Sequence, residues 1–522
     1  MPLEAKLAPI ASINPATGEV LREFDCTGEE NVRAAVERAR SAQPAWHQLG
    51  VNRRLQILRR FQTLLQEKKA EVAGVITREA GKPYVEALLT EVLVVLDAAQ
   101  FCIASVPGLL RDRRIGHANL VMKAKRGWSS HQPYGVVGII SPWNYPFATA
   151  GTEGLAALAV GNAVVVKPSE FTTLCALELQ SMLRLAGVPE DIFQVMPGGG
   201  ATGAALVSSS VDKLIFTGSV ASGKKVAQAA ATRLLPVVLE LGGKDPMLVL
   251  EDADVEVASS AAVWGAFVNA GQACLSVERC YVHQSLYEPF LAAVVEKTGK
   301  LRVGNGLDPS TDVGPMIHQR QLQIVEEHVE DARGKGGRVL AGGTRLPQLG
   351  LNFYAPTVVA NAHHGMRLMR EETFGPVLPV MPVESDGHAV ALANDSEFGL
   401  AASVWTRDRA RGAALAARLQ AGTVMVNDVI SCYGISEAPH GGVKSSGLGR
   451  THGQPGLEEM VWVKYVDSDL LPRLRKVWWY GYGPEFTRQM EGFVEFLFSR
   501  NWGARLAGGV RALKAYFRSN WL

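Results

Sequence analysis

The chain predicts an α/β protein built from two sheet-and-helix units. Short β-rich runs alternate with alanine-rich helical patterns from about 130 to 300, and a second alternating series follows Cys274 and runs to about 440. Such alternation packs helices on both faces of a mostly parallel sheet. At 522 residues the chain is also too long for one core and suggests two or three domains.

The elements follow in order. Gly135-Val136-Val137-Gly138-Ile139-Ile140 reads as a buried strand, residues 150–161 as a helix, and Ala163-Val164-Val165-Val166-Lys167-Pro168 as the next strand. Further strands are expected at 192–196, 213–216 and 236–239. Tyr281-Val282-His283 opens the second series, and Gly422-Thr423-Val424-Met425-Val426-Asn427 closes it.

Apolar residues make up 47% and charged residues 20%, the balance of an ordinary folded enzyme. The net charge of +2 gives no nucleic-acid signal, so no such partner is expected. The six cysteines (Cys26, Cys102, Cys175, Cys274, Cys280, Cys432) show no paired spacing, which predicts neither a disulfide framework nor a metal site, and a reducing compartment. Met1-Pro2-Leu3-Glu4-Ala5-Lys6 has no long apolar run, so no signal peptide is expected and the location predicted is cytoplasmic. No uninterrupted apolar stretch of about 18 residues predicts a membrane-spanning helix.

Two runs suit one chemistry. Leu239-Glu240-Leu241-Gly242-Gly243-Lys244 and Asn269-Ala270-Gly271-Gln272-Ala273-Cys274 place a carboxylate and a thiol 34 positions apart. A single cysteine is usually a small buried hydrophobe, and Cys280, just before the strand at 281–283, reads that way. Cys274, flanked by small residues, suits a nucleophile. Glu240, between leucines at a strand end, suits a base whose pKa is raised by desolvation. Gly242 and Gly243 let the backbone pass close to a bound group. Four more segments join them: Ser141-Pro142-Trp143-Asn144-Tyr145-Pro146, Lys167-Pro168-Ser169-Glu170, Phe216-Thr217-Gly218-Ser219-Val220-Ala221-Ser222-Gly223 and Glu371-Glu372-Thr373-Phe374-Gly375-Pro376.

In this order the motifs resemble the NAD(P)-dependent aldehyde dehydrogenases, from about residue 10 to about 466. The resemblance implies a Rossmann-type cofactor domain over 1–116 and 134–242 and an α/β catalytic domain over 243–443. It also implies a small β flap over 117–133 and 456–468 that packs between the subunits of a homodimer or homotetramer. Oxidising an aldehyde to an acid needs a nucleophile first; a thiolate gives a thiohemiacetal, then a thioester that water hydrolyses with help from a base. By resemblance Cys274 is that nucleophile, Glu240 the base, and the Asn144 amide an oxyanion donor beside the Cys274 N–H. The cofactor is NAD, with NADP admitted, held by Trp143, Lys167, Glu170, Gly218, Ser219, Gly223, Gly242, Glu372 and Phe374. Lys167 and Glu170 would bind the adenosine ribose hydroxyls, Ser219 and its helix start the pyrophosphate, and Glu372 and Phe374 the nicotinamide ribose. A carboxylate at Glu170 accepts from a 2′-hydroxyl and repels a 2′-phosphate, which favours NAD.

Two positions depart from the family. Many members carry a lysine where this chain has Glu153 and a glutamate where it has Thr451, after Gly449-Arg450. The proton route away from the base must therefore differ here, with Glu153 and water as candidates. Val220-Ala221 also replaces a Thr-Glu pair, which looks like the branch with carotenoid-dialdehyde dehydrogenases. A semialdehyde dehydrogenase with a charged substrate is the alternative, needing a cation facing the substrate tunnel. A CoA-acylating enzyme is disfavoured by Glu240, and a catalytically silent binding relative by the intact Cys274, Glu240 and Asn144.

Residues 471–522 lie past the family's usual end. They hold nine Lys/Arg against three Glu, a net +6 that leaves the rest at −4, and 12 of the 38 aromatic residues. At helical spacing Leu506, Val510, Leu513, Phe517 and Trp521 share a face flanked by Arg511, Lys514 and Arg518, and Phe486, Met490, Phe493 and Leu497 share another. Basic charge beside an aromatic apolar face is the pattern of a helix lying in a membrane interface. The competing expectation is a helical appendage packed on the enzyme or its oligomer partner.

Overall fold

Five apolar residues in a row make Val136–Ile140 a strand buried on both faces, as a central parallel strand requires. The computed structural model describes residues 7–119, 122–476 and 478–515. Residues 1–6 and the tail residues Phe517, Arg518 and Trp521 lie outside them. The described chain divides into two compact units, one of Met1–Arg111 with His131–Val463, the other of Asp112–Ser130 with Lys464–Leu522.

In the first unit Val136–Ile140 has Ala163–Lys167 and then Phe193–Val195 on one side, and Lys213–Thr217 and then Val237–Glu240 on the other, all parallel. Gly447–Leu448 closes the far edge antiparallel to Val237–Glu240. The chain reverses direction across the sheet between Val136–Ile140 and Lys213–Thr217, and such switch points open a ligand crevice at the strands' carboxyl ends. Trp143, Asn144, Gly218 and Ser219 follow directly from those two ends.

The second sheet runs Arg338–Ala341, Thr357–Ala360, Val377–Val383, Val277–His283, Asp245–Val249, Ala401–Trp405, Thr423–Val426, with only the first strand antiparallel. Each sheet has its own apolar core, around Val137, Ile139, Val165 and Leu214 in one and Leu248, Tyr281, Val358 and Leu378 in the other.

Two boundaries differ from expectation. The helix after the first strand starts at Pro146 and runs to Val160, because proline's fixed φ and missing N–H suit the first helical position. The strand expected at 281 begins at Val277 and includes Glu278 and Arg279, both buried. Glu278 pairs with Lys244 and Arg279 donates to the carbonyls of Lys244, Leu392 and Ala393, which a hydrophobicity pattern does not register.

The helix Tyr84–Leu109, 26 residues long, is long and apolar enough to cross a membrane by length and composition, although Glu86, Glu91 and Asp97 interrupt its apolar run. Its surroundings make it a core element. Glu91, in a π-helical turn at Leu88–Val92, is fully buried, pairs with Lys82 at 2.6 Å and accepts the N–H groups of Phe147 and Ala148.

In the second unit Lys125–Pro133 lies between Val461–Asp469 and Arg113–Ile115 in a three-stranded sheet. The third strand thus precedes the flap boundary expected at 117. The tail forms two helices, Pro484–Phe498 and Trp502–Lys514. They cross at Gly492 and Gly508, where a Cβ on Gly492 would stand 3.0 Å from the Gly508 carbonyl, and an Arg511–Glu495 ion pair joins them. Phe486 is buried and Met490, Phe493 and Leu497 are half-buried, so that stripe packs. Leu506, Val510 and Leu513 stay exposed, together with Trp502.

Candidate active site

The crevice continues into a cavity of about 490 Å³ within the first unit. Its lining brings Cys274, Glu240 and Asn144 together with Trp143, Gly218, Ser219, Gly242, Glu372 and Phe374. Lys167, Glu170 and Gly223 lie outside that lining.

Cys274 is partly exposed and sits past a kinked turn in which Asn269 (φ 52°) and Ala270 (φ 55°) are left-handed. Left-handed non-glycine residues carry strain and cluster where a structure over-determines them. The surroundings supply that determination. Glu86 accepts the Asn269 N–H at 2.9 Å, the Asn269 amide donates to the carbonyls of Asn144 (3.1 Å) and Gln272 (3.2 Å), and the Gln272 amide donates back to the Asn269 carbonyl at 2.9 Å. A Cβ on Gly271 would collide with the Gly375 carbonyl and lie 2.8 Å from Pro376 N, so the nucleophile turn and the Glu372–Phe374 segment meet backbone to backbone. Burial, and after it Asp245, Glu372 and Glu240, push the Cys274 thiol far above its ordinary pKa. That direction favours the protonated thiol at rest.

Asn144 is buried. Its side-chain amide donates one N–H to the Gln272 carbonyl at 3.1 Å, which orients the group and leaves its second N–H for a ligand. Its carbonyl accepts from Lys82 at 2.7 Å. Lys82, Glu91, Asn269 and Gln272 thus fix the donor. Sequence reading did not single out the first two; paired buried charges far apart in sequence leave no local signal.

Glu240 ends its strand with both carboxyl oxygens buried and neither in a hydrogen bond of normal geometry. Burial, then the neighbouring Glu153, raises its pKa well above the carboxylate range, against a smaller pull from Arg450. His440 Nε2 stands 3.8 Å from Glu240 Oε2. Burial holds that imidazole down at about 3, so it is neutral.

The cofactor residues fit a dinucleotide. The Ser219 hydroxyl accepts from the Ser222 N–H at 3.3 Å and caps helix Val220–Ala231, whose free N–H groups suit an anion. Gly223 packs on Leu241, with Cδ1 2.9 Å from where a Cβ would be. A Cβ on Gly242 would fall 2.7 Å from the Glu372 carboxyl carbon, and Glu372 accepts the Gly243 N–H at 3.0 Å. Lys167 ends its strand buried, 3.6 Å from the half-exposed Glu170. Rings link the two ends of the crevice: Phe171–His318 (4.6 Å), His318–Trp143 (6.0 Å) and Trp143–Phe374 (5.3 Å). Phe374 (φ 51°) is held by a buried Glu278, which accepts the Phe374 N–H at 2.9 Å and pairs with Lys244. Phe171, His318, Lys244 and Glu278 are further site residues that sequence reading did not single out.

A profile described as the aldehyde dehydrogenase family matches residues 3–466. The chain belongs to the aldehyde dehydrogenase family. It is 39% identical over 498 residues to a 4,4'-diapolycopene aldehyde oxidase of Methylomonas sp, covering 95% of this chain and 92% of that one. It is 39% identical over 460 residues, 88% of this chain and 87% of the other, to a putative NADP(+) succinate-semialdehyde dehydrogenase of Mycolicibacterium smegmatis. Among solved structures, the NAD+ complex of an aldehyde dehydrogenase from Bacillus cereus superposes with TM-score 0.85 at 34% identity, covering 89% of this chain and 94% of that one. This aldehyde dehydrogenase is an oxidoreductase that oxidises an aldehyde with NAD or NADP, on the α/β fold the sequence predicts.

Proposed function

We propose that this enzyme oxidises long or ring-bearing apolar aldehydes, with Cys274 as nucleophile, Glu240 as base and Asn144 as oxyanion donor. One observation carries the substrate class. Among the described residues lining the cavity there is no Lys or Arg, while Leu89, Val94, Trp264, Leu275, Ile430 and Tyr433 face it. A carboxylate-tailed semialdehyde would be buried there without a cation, which is costly. The relative named for 4,4'-diapolycopene aldehyde supports the same class, and an aligned span of 95% of this chain has to include tail residues beyond 466.

Burial favours the neutral forms of both Cys274 and Glu240. Thiolate formation is therefore coupled to the arrival of a carbonyl: Glu240, having released its own proton to solvent, takes the thiol proton and releases it in turn before the hydrolytic step. The thiolate adds to the carbonyl carbon, and the second Asn144 N–H receives the developing oxyanion. Losing such a donor costs about 3–4 kcal/mol of transition-state stabilisation. When bound, the nicotinamide supplies the two-electron acceptor for that carbon. The thioester left on Cys274 is then hydrolysed by a water from which Glu240 takes a proton. Trp143, Gly218, Ser219, Gly223, Gly242, Glu372 and Phe374 would hold the cofactor along the crevice. Lys167 and Glu170 would take the adenosine ribose, and the Glu170 carboxylate favours NAD over NADP.

For partners, the reading is a homodimer or homotetramer through the sheet of Lys125–Pro133 and Val461–Asp469, and a lipid surface for the tail. Trp502 and Leu506 are 74% and 69% exposed, beside Arg511 and Lys514, which suits a peripheral site on the cytoplasmic face of an anionic membrane.

The test is NADH formation with aldehydes from acetaldehyde to dodecanal, an aromatic aldehyde and succinic semialdehyde, with Cys274→Ala as control. kcat/KM that rises with chain length and vanishes in the variant is expected. A preference for succinic semialdehyde would overturn the substrate class. Flotation with phosphatidylserine vesicles tests the tail, and Trp502→Glu with Leu506→Glu should abolish binding.

A further inference from the structure

Behind the catalytic cavity lies a second, smaller one of about 20 Å³, bordered by Thr152, Glu153, Ser436, Thr451 and His452 among apolar walls. Glu153 and Thr451 line both cavities and form the partition between them. A water needs roughly 10–15 Å³ and two to four polar partners. The smaller cavity has room for one.

The polar atoms around it are unusual. Glu153 Oε1 takes only a long bond from the Thr217 hydroxyl at 3.4 Å, and its Oε2 is buried with no protein partner. Both ring nitrogens of His452 are buried and equally without one, as is His440 Nδ1. Buried polar atoms are nearly always paired, so such a cluster marks a water or a working site. The His452 backbone adds an independent observation. At φ 56° and ψ 167° it holds a conformation otherwise almost confined to glycine. A histidine is kept there although glycine would relieve the strain, and its ring borders the cavity and packs 4.6 Å from Tyr433.

We propose that the smaller cavity holds a water which joins Glu153 and His452 into the route that carries the proton of Glu240 out of the active site. This rests on Glu240 being the base. On the inner side His440 bridges the gap, 3.8 Å from Glu240 and 5.8 Å ring to ring from His452. On the outer side the half-buried Asp97 lies within electrostatic reach of His452 and accepts the Ser436 N–H at 3.3 Å. The proton balance closes: the hydrolytic water gives H⁺ to Glu240, Glu240 passes one to Glu153 or His440, and the cavity water and His452 deliver one to Asp97 and solvent. Other charged or titratable groups facing the route are Arg450, Tyr433 and Cys102. Burial raises the Glu153 carboxyl to about 8, so below that pH it is occupied by its own proton.

The experiment uses the full-length enzyme with a saturating aldehyde, and compares Glu153→Gln, Ala156→Val and Glu240→Gln by rapid mixing. Ala156 borders the smaller cavity, and the added methyl groups would fill it. Expected for both Glu153→Gln and Ala156→Val is an intact first-turnover burst of NADH. Steady-state turnover then falls about 100-fold, the lower range of proton-transfer effects, and an acyl group stays on Cys274 by mass spectrometry. In wild type the deacylation rate should rise with pH through about 8, and Glu153→Gln should flatten that rise. The infrared bands of protonated buried carboxyls should titrate in the same range, and Glu153→Gln should remove one component from them while those of Glu372 and Glu86 remain. Wild-type deacylation in both Glu153→Gln and Ala156→Val, with Glu240→Gln still blocked, would overturn the route and leave Glu240 as base. Normal deacylation in Glu240→Gln would instead remove the base assignment.

Discussion

Lys244 and Glu278 form a fully buried ion pair whose removal, one side at a time, separates charge burial from positioning. Glu278 also accepts the N–H groups of Thr373 (3.1 Å) and Phe374 (2.9 Å), and Lys244 donates to the Thr373 hydroxyl at 3.2 Å. Glu278→Leu leaves a buried cation and two orphaned amides, so it should cost about 3–5 kcal/mol. Lys244→Met leaves a carboxylate that keeps two amide donors, a loss of about 2–3 kcal/mol, in the range of one charge-assisted hydrogen bond. The double variant strands no charge and leaves only the two amides, so about 2–3 kcal/mol is expected. The singles would then overshoot the double by roughly 3–5 kcal/mol. Denaturant midpoints measure the cycle, and the coenzyme KM should rise with Glu278→Leu because Phe374 loses its tether. Additive losses, within about 0.5 kcal/mol, would refute the pairing argument.

Alkylation of cofactor-free enzyme by iodoacetamide should speed up from pH 7 to 9 with no plateau, because burial and three carboxylates keep the Cys274 thiol protonated; a plateau near neutrality would show a pre-formed thiolate. Glu240→Gln should slow the first-turnover burst of NADH and lose about 100-fold or more in steady-state turnover, because Glu240 takes both the thiol proton and the proton of the hydrolytic water. Gly223→Val drives a side chain into Leu241, so the unfolding free energy should fall by about 1–3 kcal/mol and coenzyme binding should weaken; unchanged values for both would remove the packing reason for that glycine.

Much of this site is readable from local sequence because its parts are local devices. Asn144 and Ser219 stand at strand ends that open helices, Gly242 passes close to another group, and Cys274 closes a turn of small residues. Each leaves a mark within a few residues. What sequence reading did not single out is what holds those devices. Lys82 fixes the Asn144 carbonyl from 62 positions away, and Glu86 fixes the Asn269 amide from 183 away. Neither relation has a local pattern. The upward push on the thiol is equally non-local, since a motif does not record how many carboxylates surround a sulfur. The tail is a middle case. Spacing found two apolar stripes, and only packing separates the one folded against its neighbour from the one left open.

The cationless cavity also bears on what happens after hydrolysis. The aldehyde enters neutral, but the acid is born ionised beside Glu153, Glu240 and Glu372, with no Lys or Arg among the described lining residues to receive it. A carboxylate without a partner in such a lining is poorly tolerated. On the substrate class proposed above, the walls that suit the carbon chain disfavour it once it is oxidised. Product inhibition by the acid should accordingly be weak.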